Sequence, residues 1–358
     1  MSRDLFLRTI SYLRFPLILL VVMIHAELTG EYAVAADYPA YALLFSLVSI
    51  VTASAVPLFF LFSGYLFFHN AEDFTAATYR QKIGRRVKTL LVPYLFWNAV
   101  VLLRFWLTQT FAPGYADAAA KPLADYTFLD WIRAFWDGYG GNPVCFQFWF
   151  LRDLMVLVLL TPLLYRIHKV RYGAVVLLVL LALLCMRGTP SCPGFNPSSV
   201  FYFSLGAFGA LKDKDMAAFA QRLRFPAVGL VLCYAVYTVV ALKTARRLPS
   251  LPDGILAFTC TFSVALVILG FVSRAVEKRG LQPRTFLKDS AFFIYAAHPL
   301  LLSPMKKAAL GQLPHNDFGA ILVYLAAPIL TVLLLLALFW LLKRLVPRFL
   351  SVITGGRY

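Results

Sequence analysis

The stretch FGAILVYLAAPILTVLLLLALFWLL, Phe318 to Leu342, runs 25 residues without a charge and is followed at once by Lys343-Arg344. As a helix rising 1.5 Å per residue it spans the ~30 Å hydrocarbon core of a bilayer. Working outward, comparable apolar runs recur near Ser11–Leu28, Ala42–Phe68, Thr89–Gln109, Gln147–Tyr165, Tyr172–Met186, Ser198–Leu211, Pro226–Leu242, Gly254–Ser273 and Ser290–Ser303. The expected fold is therefore all-α, a polytopic transmembrane bundle of about ten helices forming one domain over residues 1–358. Composition agrees: 61% of the residues are apolar, 14% are charged and the mean hydropathy is +0.75. A soluble domain carries about 25% charged residues. The net charge of +17 would suggest nucleic acid in a soluble protein, but here the basic residues sit in short clusters between apolar runs. No basic, aromatic-interleaved domain is present for a nucleic acid to bind.

Charge orients the spans. With the N-terminus inside, 24 of the 34 Lys and Arg fall in inner segments and eight in outer ones, and Arg104 and Arg152 fall within helices. That is the positive-inside pattern, with both termini cytoplasmic. The cluster Lys243–Arg247 is the one exception and has no explanation in the sequence. The first span holds Arg14 and Pro16 and lacks a small-residue cleavage site, so it reads as a retained helix and not a signal peptide. The longest outer segment, about Thr110 to Pro143, contains FLDWIRAFW (Phe128 to Trp136), which reads as an amphipathic helix at the outer interface. The five cysteines show no metal-ligand spacing. Cys145, Cys185 and Cys192 lie at or near the outer side, where an oxidising compartment would allow pairing; otherwise all five are unpaired thiols.

Ionisable residues inside spans are costly and face the bundle interior or a wet cavity. Arg14 and His25 are eleven residues apart on the first span, so they share a face, with His25 about 16 Å further outward. Either they form a functional pair, or Arg14 snorkels to the inner headgroups and His25 sits at the outer interface near Glu27. His298, three residues after Tyr295 on one face, reads as a packing histidine beside Pro299 or as a residue shaping a site. Trp149, Arg152 and Asp153 stand at i, i+3 and i+4. Arg152 and Asp153 are sequence neighbours, so each is expected to pair with a different helix, either locking the bundle or shaping a site. The loop Tyr79–Thr89 brings five cations immediately before the third span, a topological anchor whatever else it does. His69, His168 and His315 read as ordinary surface histidines.

Together these stretches resemble the acyltransferase-3 family. Arg14-x10-His25, PLFFLFSGY (Pro57 to Tyr65), RVKTLLVPYLFW (Arg86 to Trp97), FWFLRDL (Phe148 to Leu154) and SAFFIYAAH (Ser290 to His298) occur in that family's order across nearly the whole chain. The resemblance implies a membrane O-acyltransferase, usually an O-acetyltransferase, of the bacterial inner membrane. It would carry an acyl group from cytoplasmic acyl-CoA, such as acetyl-CoA, to a hydroxyl of a cell-envelope or exported glycan. By the same resemblance His25 matches the catalytic histidine and Arg14 its basic partner, while Arg85, Arg86 and Lys88 match the donor-binding region. Ser63, Tyr65, Trp149, Arg152, Asp153, Tyr295 and His298 are grouped as residues shaping the site. No appended lipase-like domain follows the last span, and no metal or permanently bound cofactor is expected. The chemistry is compatible: an imidazole is suited to take an alcohol's proton near neutrality, and Arg or Lys suits the phosphates of CoA. The competing reading is a transporter or flippase whose buried charges line a substrate path; the sequence shows no inverted repeat to favour it.

Overall fold

The computed structural model describes residues 2–28, 38–70, 74–115, 121–244 and 248–357. In chain order its main helices are α1 (Ser2–Ile24), α2 (Pro39–Thr52), α3 (Ala55–Phe68), α4 (Ala76–Arg86), α5 (Val92–Phe111), α6 (Phe128–Ala134), α7 (Trp149–Leu159) and α8 (Thr161–Lys169). Then follow α9 (Gly173–Met186), α10 (Pro197–Leu211), α11 (Met216–Thr244), α12 (Ser250–Arg279), α13 (Thr285–Leu310), α14 (Asp317–Leu345) and α15 (Pro347–Thr354). Among the described residues there is no β-strand beyond two isolated bridges. Six stretches are long and apolar enough to cross a bilayer: α1, α2 with α3, α4 through α5, α11, α12 and α14. The bent pair around α7 and α8 makes a seventh if taken as one span. Of the other three expected spans, α9 and α10 are shorter, and α13 is diluted by His298, two prolines and three lysines.

Several boundaries differ from expectation for local reasons. The cationic segment Tyr79–Thr89 is not a loop: α4 covers most of it, and a π-helical turn, Val87–Leu91, joins α4 to α5. Thr75 caps α4 by accepting from the Thr78 N–H at 3.2 Å, which starts the helix well before the apolar run. The fourth span bends by 56° between α7 and α8. Pro162 has no N–H to offer the Val158 carbonyl, and the Thr161 hydroxyl donates to that carbonyl instead, at 2.7 Å. His168, expected at the surface, is buried, with Nδ1 2.7 Å from the Leu164 carbonyl and Nε2 3.2 Å from that of Ser204. The expected interfacial helix is present as α6, capped reciprocally by Thr127 and Asp130, and its Phe128, Trp131 and Ile132 are exposed. Hydrogen bonds from Lys121 and Thr127 hold the Asp130 carboxyl below the usual carboxylate range. The five cysteines are free thiols. Arg246 and Arg247, of the cluster that broke the charge pattern, lie outside the described residues.

The chain divides into two compact units. One comprises Met1–Glu72, Leu164–Thr189 and Pro197–Trp340; the other comprises Asp73–Leu163, Pro190–Asn196 and Leu341–Tyr358. In the first, α1 packs against α13, α12, α3, α2 and α11. Its outward helices present apolar stripes: Val175, Val176, Val179, Leu180 and Leu183 of α9 are all exposed, as suits a surface solvated by lipid chains. In the second, the Trp97 indole donates to the Ile353 carbonyl at 3.0 Å, and Phe96 meets Phe349 edge to face, so α15 is tied to α5.

The closest approach in the first unit is between α3 and α10. A Cβ on Gly64 would lie 2.0 Å from the Phe203 carbonyl oxygen, and one on Gly206 would lie 2.0 Å from the Leu61 carbonyl oxygen. The two backbones touch where each glycine offers no side chain, the small-residue packing that membrane helices use in place of a hydrophobic driving force. Alanine at either position must push the helices apart. We expect Gly64→Ala and Gly206→Ala each to cost about 1–3 kcal/mol, read as a lowered unfolding midpoint in detergent. Gly84→Ala on α4, where an added Cβ meets nothing within 4 Å, is the control and leaves the midpoint unchanged or raises it.

Candidate active site

His25 follows directly on α1 and is half-buried. A helix that stops leaves its final carbonyls without N–H partners, and in an apolar setting something must answer them. Lys306 answers two carbonyls just past the helix: its Nζ donates to that of His25 at 3.2 Å and to that of Glu27 at 2.6 Å. Lys306 was expected in an outer segment, beyond the span placed at Ser290–Ser303. Instead α13 runs on to Leu310 and carries Lys306 into the interior, where it is buried. The rest of the segment is held from two more helices. The Leu28 N–H donates to the Tyr41 hydroxyl of α2 at 3.0 Å, and the Tyr41 N–H donates to the Asp317 carboxylate at the start of α14 at 2.9 Å. The backbone from His25 to Leu28 is thus clamped from α2 and α13, with α14 holding α2.

Against His25 lies His298. The two rings are stacked, with centroids 5.2 Å apart and planes 28° from parallel. His298 is wholly buried, with Nδ1 2.8 Å from the Tyr295 carbonyl and 3.2 Å from that of Ile294. The Tyr295 ring is buried and its centroid lies 6.4 Å from that of His298. The structure therefore brings together His25, His298 and Tyr295, which are separated by some 270 residues of chain, and adds Lys306, which the sequence reading missed. The signal for it was present: Lys306 stands about two helical turns beyond His298 in an otherwise apolar stretch. Arg14 is on α1 and exposed, eleven residues before His25. On α3, Ser63 is half-buried, and the buried Tyr65 packs edge-on against Phe6 at 4.7 Å and stacks with His69.

The second unit holds the remaining candidates. Arg85 and Lys88 are exposed and Arg86 is half-buried, at the junction of α4 and the π turn. Such turns break the regular ladder and are frequent at functional sites. The turn is braced by the C-terminal segment: Gly355, at φ +65°, sits so close that a Cβ would lie 2.7 Å from the Thr89 carbonyl oxygen. Trp149 is half-buried at the start of α7. Arg152 and Asp153 correct the expectation of separate partners. They pair with each other, Arg152 Nε donating to Asp153 Oδ1 at 3.0 Å. Arg152 also donates to the carbonyls of Trp136 at 2.6 Å and Gly141 at 2.8 Å, and Asp153 accepts from the Gly194 N–H at 3.1 Å. Both are buried and fully engaged, so they fasten two loops to α7. Among the described residues no three His, Cys, Asp or Glu side chains gather to hold a metal.

An all-α chain of membrane-length helices, with two histidines stacked at the clamped end of its first helix, defines a multi-pass membrane protein with a largely enclosed titratable site. Residues 7–340 match the family described as an acyltransferase domain, and the chain belongs to that family and is an acyltransferase. It is 28% identical over 317 residues to the succinoglycan biosynthesis protein ExoH of Rhizobium meliloti (strain 1021), an alignment covering 84% of this chain and 79% of that one. No solved structure matches it.

The clamp can be tested by removing the ammonium while keeping the aliphatic stem. Lys306→Met leaves two part-buried carbonyls without this donor. It should cost about 1.5–3 kcal/mol, the range for a hydrogen bond from a charged group. The expected result is a lowered unfolding midpoint in detergent, whereas Lys307→Met, on the neighbouring exposed lysine, leaves it unchanged.

Proposed function

We propose that this acyltransferase is an O-acyltransferase of the bacterial inner membrane, most simply an O-acetyltransferase. It moves the acyl group of cytoplasmic acyl-CoA to a hydroxyl of an exported or cell-envelope glycan. The observation that carries the reading is His25: a half-buried imidazole on a clamped backbone at the end of a membrane helix, in a chain of an acyltransferase family. The glycan acceptor rests on the similarity to ExoH, a protein named for succinoglycan biosynthesis.

In this mechanism His25 takes the proton of the acceptor hydroxyl as its oxygen attacks the thioester carbon. The C–S bond breaks, the new ester C–O bond forms, and the proton passes to the departing thiolate to give free CoA. A transient acyl-imidazole would use the same residue, and a rapid-quench search for acylated His25 separates the two routes. Arg85, Arg86 and Lys88 supply cations for the CoA phosphates, and the segment carrying them faces the cytoplasm together with both termini.

Two measurements test this. Loss of the general base should lower transfer by about 10²–10⁴-fold. His25→Ala is therefore expected to leave the protein folded and able to bind CoA but to remove base-labile acyl groups from the cell's polysaccharide. Substantial acylation by this variant would sink the assignment. The double change Arg85→Gln and Arg86→Gln removes two charge-assisted contacts worth about 1.5–3 kcal/mol each. It should weaken acyl-CoA binding in folded protein by tenfold or more, and unchanged affinity would return these residues to a topological role alone.

A further inference from the structure

The chemistry of His298 follows from its neighbour. Pro299 lacks the N–H that residue 299 of a helix would give to the carbonyl of residue 295. The Tyr295 carbonyl is left short of a donor, and His298 stands in, with Nδ1 at 2.8 Å. Carbonyl oxygens only accept, so Nδ1 carries the hydrogen, and in the neutral ring Nε2 holds a bare lone pair. That Nε2 is buried and meets no hydrogen-bond partner among the described residues. An acceptor in a sealed, apolar place is costly to leave unmet, which marks it as a group whose partner arrives during function.

What arrives is narrowed by access. His298 has no exposed surface, whereas His25, half-buried, lies stacked on it at 5.2 Å. The stack presents face to face, so a bond between them needs the His25 ring to rotate about its Cβ–Cγ bond and turn a ring nitrogen toward Nε2. The backbone of His25 stays in place meanwhile, because Lys306 holds its carbonyl. When His25 takes a proton, both its nitrogens carry hydrogen. One faces the thiolate that will receive the proton, and the other needs an acceptor.

We infer that His298 is the positioning residue of His25. Its Nε2, unprotonated because Pro299 commits Nδ1 to the Tyr295 carbonyl, accepts the second N–H of the His25 imidazolium. It plays towards His25 the part a carboxylate plays towards the base in a triad. This rests on the reading of His25 as the base.

Two substitutions separate this role from packing. His298→Asn keeps a side-chain N–H that can reach the Tyr295 carbonyl but removes the acceptor at the Nε2 position. His298→Gln loses that N–H but can place its Oε1 near where Nε2 was. The assay expresses full-length variants in cells lacking the native gene and measures base-labile acyl groups on their polysaccharide. Unfolding midpoint and CoA affinity are measured on the purified proteins. The expected pattern is crossed. The Asn variant is as stable as wild type, binds CoA equally and acylates about 100-fold less, in keeping with loss of a base-orienting group; the Gln variant is less stable yet acylates more than the Asn variant.

Wild-type acylation by the Asn variant overturns the inference, as does Gln acylating no better than Asn, and lowered CoA affinity in a folded Asn variant assigns the lone pair to the donor instead. If the Asn variant fails to fold, Nδ1 is not what Asn replaces and the inference fails. His25→Ala in the same assay keeps the two claims apart. Its inactivity beside an active Asn variant spares the base assignment and removes only His298, while its activity removes the base assignment and this inference with it.

Discussion

The end of a helix in an apolar environment has no water to satisfy its last carbonyls, and the site in this protein is built around one such end. Lys306 reaches from α13 to the carbonyls of His25 and Glu27 and so holds the segment that follows α1. Burying an ammonium is unfavourable unless its hydrogens are used, and two backbone carbonyls use them. The bond has a consequence beyond stability. It ties His25 to the helix that carries His298, the ring against which His25 stacks. Tyr41 and Asp317 extend the fastening to α2 and α14.

A second constraint recurs at two prolines. Each removes an N–H from the helical ladder and leaves the carbonyl four residues earlier without its partner. At Pro162 the substitute donor is the hydroxyl of Thr161, and the outcome is a 56° bend. At Pro299 the substitute is the imidazole of His298, and the outcome is a ring with a defined hydrogen position. The local vacancy is the same in both, but the residue standing just before the proline decides whether it shapes the backbone or the chemistry. Close helix contacts complete the frame: the reciprocal approach of α3 and α10 at Gly64 and Gly206 leaves no room for a side chain on either.

Much of this was legible in the chain. Apolar runs of membrane length gave helices where expected because lipid forces every backbone group to be paired within its own segment. His25 and His298 stood out because ionisable groups are rare in such runs. Less legible were the places where a local signal was outvoted. The span placed at Ser290–Ser303 was drawn too short, and α13 continues past it to place Lys306. His168 looked like a surface residue at a helix edge, yet the bend between α7 and α8 accompanies a helix whose His168 lies buried against Ser204. Arg152 and Asp153 were expected to seek separate helices, and instead share one bond while loop carbonyls and an N–H take up what remains.

By itself, then, the sequence determined the membrane class, the helical fold and the residues worth suspecting. These depend on composition and on neighbours within a turn or two, where covalent geometry settles who can reach whom. Only the tertiary structure decided that His25 meets His298, that Lys306 holds the backbone of His25 and Glu27, and that Arg152 and Asp153 belong to loop anchoring. Those contacts join residues from 11 to 281 positions apart, and they are set by how helices and loops lean on one another, which no periodicity along the chain records.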